Sequence, residues 1–312
     1  MVGVTTRDGF GLGLKAAAAF DSHVVGLCAD LTESTRMEWF RNAFPERFVQ
    51  VGVAEENMVG LAAGLALAGK IPFAASYAVF SPGNSWGVMR ATVCYSNLNV
   101  KIVGGHAGLT TGPDGATHQA LEDIALMRVL PNMTVVVPAD QEEAYKATLA
   151  IAKHIGPCYL RTSRFATPAV TTARSPFVLG QALKLQDGSD ATLIACGTMV
   201  SNAVQIAEAL AKKGISLRVL NMHTIKPLDI HALSAAVHQT KAIISLEEHQ
   251  VAGGLGSAIA EALSANNLST RLLMLGVQDR FGESGKPEEL LELHGLSVPQ
   301  LVTQIENWIG KI

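Results

Sequence analysis

Short apolar runs alternate along the chain with longer stretches in which apolar and polar positions recur at helical spacing. The short runs predict strands at His23–Cys28, Phe48–Val51, Pro72–Ser76, Val100–Val103, Met133–Val137 and Cys158–Arg161. Between them the spacing predicts helices over Asp8–Phe20, Thr35–Ala43, Glu56–Ala68, Trp86–Ser96, Gln119–Arg128 and Gln141–Lys153. Such alternation builds a parallel sheet covered by helices on both faces. It stops over Phe165–Phe177, a stretch with Pro168 and Pro176 that reads as a linker. It then restarts, with strands at Ala191–Cys196, Ser216–Leu220, Ala242–Leu246 and Arg271–Leu275. The accompanying helices are Ser201–Lys213, Ile230–Val237, Leu255–Leu263, Pro287–Leu293 and Val298–Ile309. The expected class is α/β: two doubly wound, mostly parallel-sheet domains over residues 1–165 and 181–312, joined by a linker at 166–180.

Length agrees, since 312 residues fit two domains of roughly 150 each. The net charge of -3 excludes a strongly basic nucleic-acid surface. With 48% hydrophobic and 16% charged residues, the chain has the apolar surface for sizeable cores and interfaces, and disorder is excluded. Cys28, Cys94, Cys158 and Cys196 form no C-x-x-C pair, which excludes a zinc ribbon and leaves buried free thiols as the expectation. The start, Met1-Val-Gly-Val-Thr-Thr-Arg7, lacks the apolar run of a signal peptide, and Met58–Gly69 is too short to span a bilayer. A soluble, cytoplasmic protein is expected.

Six stretches are candidates for chemistry. Glu55 and Glu56 open a helix of small residues that includes Gly60, Ala62, Ala63 and Gly64. Two readings stand: stabilisation of the helix dipole, or a carboxylate at an interface where another subunit approaches closely. The Gly-rich loop Gly104–Gln119 follows a strand and carries His106, Asp114 and His118, which suits a polar ligand pocket at a sheet's carboxyl edge. Its two histidines match no common metal spacing. Tyr77 and Phe80 are either core or a platform for an aromatic ring. Gly83-Asn-Ser85-Trp-Gly87 fits the G-x-S-x-G of a hydrolase, although Ser81-Pro82 intervenes after the strand. Arg161 and Arg164 end a strand and could clamp a phosphate. Gly253-Gly-Leu-Gly256 lacks dinucleotide spacing and reads as a tightly packed helix start.

Val51-Gly-Val-Ala-Glu-Glu-Asn-Met58 with its small-residue helix resembles the pyrimidine-binding domain of the transketolase family of thiamin-diphosphate enzymes. So do Pro113-Asp-Gly-Ala-Thr-His-Gln-Ala-Leu-Glu-Asp123 and Pro131-Asn-Met-Thr-Val-Val-Val-Pro-Ala-Asp140. Glu247-Glu-His-Gln-Val-Ala-Gly-Gly-Leu-Gly256 and Asp279-Arg-Phe-Gly-Glu-Ser-Gly285 extend the match into the second domain, which resembles the family's C-terminal domain. The whole is similar to the C-terminal subunit of a two-subunit transketolase. The family's Gly-Asp-Gly, which with a downstream Asn holds the diphosphate and its metal, is missing: Asp-Gly occurs at 8, 114 and 187, never after Gly.

The resemblance implies a transferase that moves a two-carbon ketol unit from a ketose phosphate to an aldose with thiamin diphosphate. It implies an N-terminal partner subunit that holds Mg2+ or Ca2+, in an α2β2 assembly, with no role for nucleic acid or membrane. Glu55 would bond N1′ of the aminopyrimidine, with Phe80 and Tyr77 stacking on that ring and Asp30 near the thiazolium. His106 and His118 join Glu55 as catalytic positions. Arg7, Ser34, His106, Asp114 and Arg164 would hold the sugar phosphate. Ala116 stands where the family has Pro, Thr110-Thr-Gly-Pro113 replaces a more acidic stretch, and Gly83 replaces an aromatic, all of which bear on acceptor choice. The alternatives are the β subunit of a 2-oxo acid dehydrogenase E1 component, a deoxyxylulose-phosphate-synthase-like enzyme, where Arg takes the place of His106, and a non-catalytic subunit of the same fold.

Overall fold

The computed structural model describes residues 4–311. The reading of the N-terminal segment falls partly on residues 1–3, which with Ile312 lie outside the described residues. The chain begins β1 (Val4–Thr5), α1 (Thr6–Phe20), β2 (Val24–Cys28), α2 (Met37–Ala43), β3 (Phe48–Gln50), α3 (Glu55–Leu67) and β4 (Ile71–Tyr77). It continues α4 (Trp86–Val88), β5 (Lys101–Gly105), α5 (Asp123–Arg128), β6 (Thr134–Val136), α6 (Gln141–Lys153), β7 (Cys158–Arg161) and β8 (Ala166–Thr167). Then follow β9 (Leu183–Gln186), β10 (Ala191–Ala195), α7 (Met199–Ala211), β11 (Leu217–Asn221), β12 (Thr224–Lys226) and α8 (Ile230–Gln239). Last come β13 (Ala242–Gln250), α9 (Leu255–Ala265), β14 (Arg271–Val277), α10 (Pro287–Leu293) and α11 (Val298–Ile309).

Two large sheets carry the fold, in the orders β12-β6-β7-β5-β4-β2-β3 and β14-β13-β10-β11-β9. Only the edge strands β12 and β9 run antiparallel to their neighbours in these sheets. The α/β class with mostly parallel sheets therefore holds. Strands β2 and β10 are buried along all five residues, as strands covered on both faces must be. On one face of the larger sheet, Phe10 and Leu14 of α1, Phe40 of α2 and Ile151 of α6 share a core with Phe73 and Val103. On the other, Met58 and Ala62 of α3 and Met127 of α5 meet Leu27 and Ile102, and this core continues into Ile194, Leu220 and Leu255 of the second sheet's elements. A third core joins α7 and α11 through Ile206 and Leu301 to Leu193 and Ile244.

Local chemistry explains the element ends. The Thr5 side chain accepts the Asp8 N–H while the Asp8 carboxylate accepts the Thr5 N–H, a reciprocal cap that starts α1. Asp140 caps α6 and also accepts N–H bonds from Val170 and Thr171, pinning the stretch after β8. At Gly13 a Cβ would lie 2.7 Å from the Thr148 side chain, so only glycine lets α1 run this close to α6.

The structure corrects several sequence expectations. The helix expected from Gln119 begins at Asp123, because Ala120 forms a β-bridge with Ala107 and Gln119 turns inward. The helix expected over Trp86–Ser96 is α only at Trp86–Val88 and widens to π turns over Met89–Cys94. Two residues of the aperiodic stretch, Ala166–Thr167, pair with β1. β12, from the range assigned to the second domain, pairs with β6 of the first sheet. Among the described residues no helix is long and apolar enough to cross a membrane.

Candidate active site

The carboxyl ends of β2, β3, β4, β5 and β7 share one edge of the parallel sheet, the usual place for ligands in such folds. Asp30 and Ser34 follow β2, Glu55 follows β3, and Tyr77 and Phe80 end or follow β4. His106, Asp114 and His118 follow β5, and Arg164 follows β7. Arg7 is brought in from the first turn of α1 by the pairing of β1 with β8 and by its own N–H to the Ser163 carbonyl, 3.3 Å.

Glu55 is the first residue of α3 and only 9% exposed. Its Oε1 accepts the Ser76 hydroxyl at 3.0 Å, and among the described residues Oε2 has no hydrogen-bond partner. The helix dipole favours this carboxylate, while the Ser76 bond on β4 fixes its direction. One oxygen is thus held and the other is free to accept an N–H from a ligand.

The next residue on β4 starts an aromatic group. Tyr77 stacks on Phe80 with centroids 6.1 Å apart and planes 8° from parallel. His106 lies on Tyr77 at 3.9 Å and 19°. His118 meets the edges of both, 6.1 Å from Tyr77 and 5.4 Å from Phe80. Four side chains, from the end of β4 and the segments after β4 and β5, therefore form one flat-walled cluster, in which Phe80 is half-buried.

Beside it lies an anion-friendly region. Arg7 Nη1 donates to the Ser34 carbonyl at 3.0 Å and lies 3.5 Å from His106 Nε2. Among the described residues Arg7 has no carboxylate within salt-bridge distance, whereas Arg36 pairs with Asp8 at 2.6 Å and Arg164 with Asp114 at 3.1 Å. Burial, then Arg7 and Arg164, push the pKa of His106 down to about 3, so its ring is neutral at pH 7. Among the described residues its buried Nδ1 has no partner. A phosphate would supply both the missing negative charge and a hydrogen-bond acceptor.

Other candidates separate from this group. Asp30 reaches the same edge but is exposed, and its N–H bonds to Gln50 at 2.8 Å. Arg161 is buried, bonded to Asp123 at 2.9 Å and to the Glu248 carbonyl at 2.9 Å, so it clamps no phosphate. Ser85 is fully buried against Ser81 Oγ and the Phe80 carbonyl, with no histidine bonded to it, which removes the hydrolase reading. Gly254 to Gly256 do start a packed helix: the Leu255 and Gly256 amides donate to Glu247 at 2.7 and 2.8 Å. Sequence reasoning missed Ser76, Arg36 and Thr111, whose hydroxyl donates to the His106 carbonyl. A Ser directly before Tyr77 on a buried strand was the available signal for the first.

The residues present suit one half of thiamin diphosphate. A half-free carboxylate and a set of aromatic faces at the same sheet edge suit an aminopyrimidine, which offers ring nitrogens and a π face. Among the described residues no three His, Cys, Asp or Glu side chains cluster as a metal site.

Comparison with known proteins places both halves of the chain in one family. Residues 2–169 match the family described as "Transketolase, pyrimidine binding domain", and residues 180–301 match "Transketolase, C-terminal domain". The chain is 42% identical over 307 residues to a protein of Methanocaldococcus jannaschii provisionally assigned as a transketolase C-terminal section, covering 98% of this chain and 96% of that one. It is 41% identical to a 6-deoxy-6-sulfo-D-fructose transketolase subunit of Clostridium sp. (strain MSTE9), covering 90% of this chain and 87% of that one. It superimposes with TM-score 0.92 and 42% identity on a solved structure described as a split-gene transketolase, inactive β4 tetramer, covering 99% of each chain. With both domains matched in order, the chain belongs to the transketolase family and spans its pyrimidine-binding and C-terminal domains.

Proposed function

We propose that this chain is one subunit of a thiamin-diphosphate transketolase that moves a two-carbon ketol unit from a ketose phosphate to an aldose. In that reaction the C2–C3 bond of the donor breaks and a new carbon–carbon bond forms at the acceptor's aldehyde carbon. The observation that carries the reading is Glu55, half held by Ser76 and half free, at the sheet edge where the Tyr77–Phe80 aromatic cluster also lies. When bound, thiamin diphosphate supplies the carbon nucleophile that stores the two-carbon unit. Glu55 holds a proton at the ring nitrogen it faces, and Phe80 and Tyr77 exclude water and fix the ring plane. His106 and His118 orient the sugar hydroxyls, and Arg7, Ser34 and Arg164 hold its phosphate, with Asp114 setting the Arg164 side chain. Asp30 is the acid on the thiazolium side.

The missing half implies a partner: an N-terminal transketolase subunit that holds the diphosphate and its Mg2+ or Ca2+, in an α2β2 complex. The exposed face of α3 supports this. Gly60 and Gly64 have open space above them, and Val53, Leu61 and Leu67 are exposed beside them. Small residues flanked by apolar ones let a second subunit pack closely. A chain of equal extent, 42% identical, is described as inactive when assembled as a β4 tetramer.

Reconstitution tests the reading. Mixing this chain with an N-terminal transketolase chain that carries Gly-Asp-Gly, plus cofactor and Mg2+, should produce two-carbon transfer that neither chain shows alone. Robust turnover by this chain alone would contradict it.

A further inference from the structure

The second sheet reaches the site through a strand end that the chemistry above does not use. β13 closes on Glu247-Glu248-His249, all buried. Glu247 turns toward the N-terminus of α9. His249 Nδ1 lies 2.6 Å from the Gln250 carbonyl, and its Nε2 faces the Ala125 amide at 3.4 Å. Glu248 crosses instead to the first domain's loop. Its Oε1 accepts the Thr110 N–H at 2.6 Å, and its Oε2 accepts the Thr198 hydroxyl at 2.8 Å. Thr110 sits in the middle of the loop that bears His106, Asp114 and His118.

The fit around this carboxylate is close. A Cβ at Gly108 would lie 2.3 Å from Glu248 Oε1, and Gly108 has φ +95°, so the loop needs glycine here on two counts. Two residues earlier, His106 itself has φ +54°, a conformation that persists where its surroundings over-determine it. Thr111, next to Thr110, donates its hydroxyl to the His106 carbonyl. Farther along, Gln119 Nε2 donates to the carbonyls of Gly112 at 3.0 Å and Glu283 at 2.9 Å, and a Cβ at Gly115 would meet Ser284 Oγ at 2.6 Å. The Arg161 guanidinium bonds the Glu248 main-chain carbonyl, so the Glu248 carboxylate oxygens are left to Thr110 and Thr198.

We propose that Glu248 is a positioning residue for the sugar-phosphate site: by gripping the Thr110 amide from the second domain it fixes the loop that places His106 and Asp114. The binding consequence rests on the reading given under the proposed function, whereas the mechanical consequence does not.

Amide hydrogen exchange on the full chain, without ligand, tests the mechanical part. Glu248→Ala should speed exchange across residues 106–115 by about tenfold or more, as loss of a hydrogen bond to a charged group implies, with α3, α6 and α7 unchanged. Glu248→Gln keeps an acceptor oxygen for Thr110 and should restore wild-type exchange. Inorganic phosphate is the probe for the site: Glu248→Ala should bind it about tenfold more weakly than wild type, and Glu248→Gln should not. Should Glu248→Ala fail to fold, Thr198→Val carries the same test, with a smaller acceleration confined to the loop. Unchanged loop exchange overturns the proposal, as does protection lost evenly over both domains, or faster loop exchange with unchanged phosphate affinity. If the wild-type chain binds no phosphate, the sugar-phosphate reading fails, and the exchange comparison still decides the role of Glu248 in the loop.

Discussion

Tyr77 and His106 lie ring on ring, their centroids 3.9 Å apart and their planes 19° from parallel. The contact ties the end of β4 to the loop after β5, so the aromatic wall and the Arg7 side of the site share one side chain. It also keeps the imidazole out of water among Arg7, Arg36 and Arg164, which explains its low pKa of about 3.

A pH dependence follows. In the unfolded chain His106 takes up a proton near pH 6.5, but in the folded chain only near 3. Below 6.5 the unfolded state therefore binds one more proton, and stability falls with pH by up to about 1.4 kcal/mol per pH unit until about 3, with no such loss above 6.5. Denaturant melts of the wild type between pH 7 and 4 should be steeper in pH than those of His106→Asn by about one proton. Equal slopes would place the proton elsewhere.

Arg7→Ala should raise KM for a phosphorylated sugar about tenfold or more, since a half-buried charge-assisted contact is lost, with a smaller change in kcat. A non-phosphorylated acceptor should be nearly indifferent. Steady-state kinetics of the reconstituted pair with both acceptors separates the two outcomes.

Asp123 accepts from both Tyr159 at 2.6 Å and Arg161 at 2.9 Å. Burial opposes the charge of Arg161, but Asp123 and Glu248 outweigh it and raise its pKa. Asp123→Ala leaves that charge without its carboxylate and should cost about 3–5 kcal/mol in denaturant unfolding. A loss below about 1 kcal/mol, the range of a surface pair, would show that the pair is solvated.

Gly64 is exposed on α3, and a Cβ placed on it would have nothing within 4 Å. Gly64→Leu should therefore stabilise the isolated chain by roughly 0.5–1 kcal/mol through helix propensity. The same change should block assembly with the N-terminal subunit by filling the close-approach face. Sedimentation of the mixture reads the second effect, and a complex of wild-type mass would argue against this face.

The alternation of strand and helix was legible because the inner strands are apolar throughout, as in Val24–Cys28 and Ala191–Ala195. β12 was not, because three residues carry no period and its partner Val135–Val136 lies far away in the chain. β13 runs past Leu246, where the apolar run ends, through Glu247, Glu248 and His249; the Leu255, Gly256 and Thr110 amides make the burial of the two carboxylates possible. In the site, residue types marked the loops after β3 and β5, while the union of Tyr77, Phe80, His106 and His118 depends on two loops folding together. Arg161 resembled a phosphate ligand because its true partner, Asp123, lies on another element.

Glu55 is proposed to handle the cofactor's proton. Turnover of the reconstituted pair with Glu55→Gln measures it most directly. The expected result is a loss of about 10²–10⁴-fold, the range for a removed acid–base group, with weaker cofactor binding and an unchanged melting temperature of the chain. Turnover equal to wild type would contradict it.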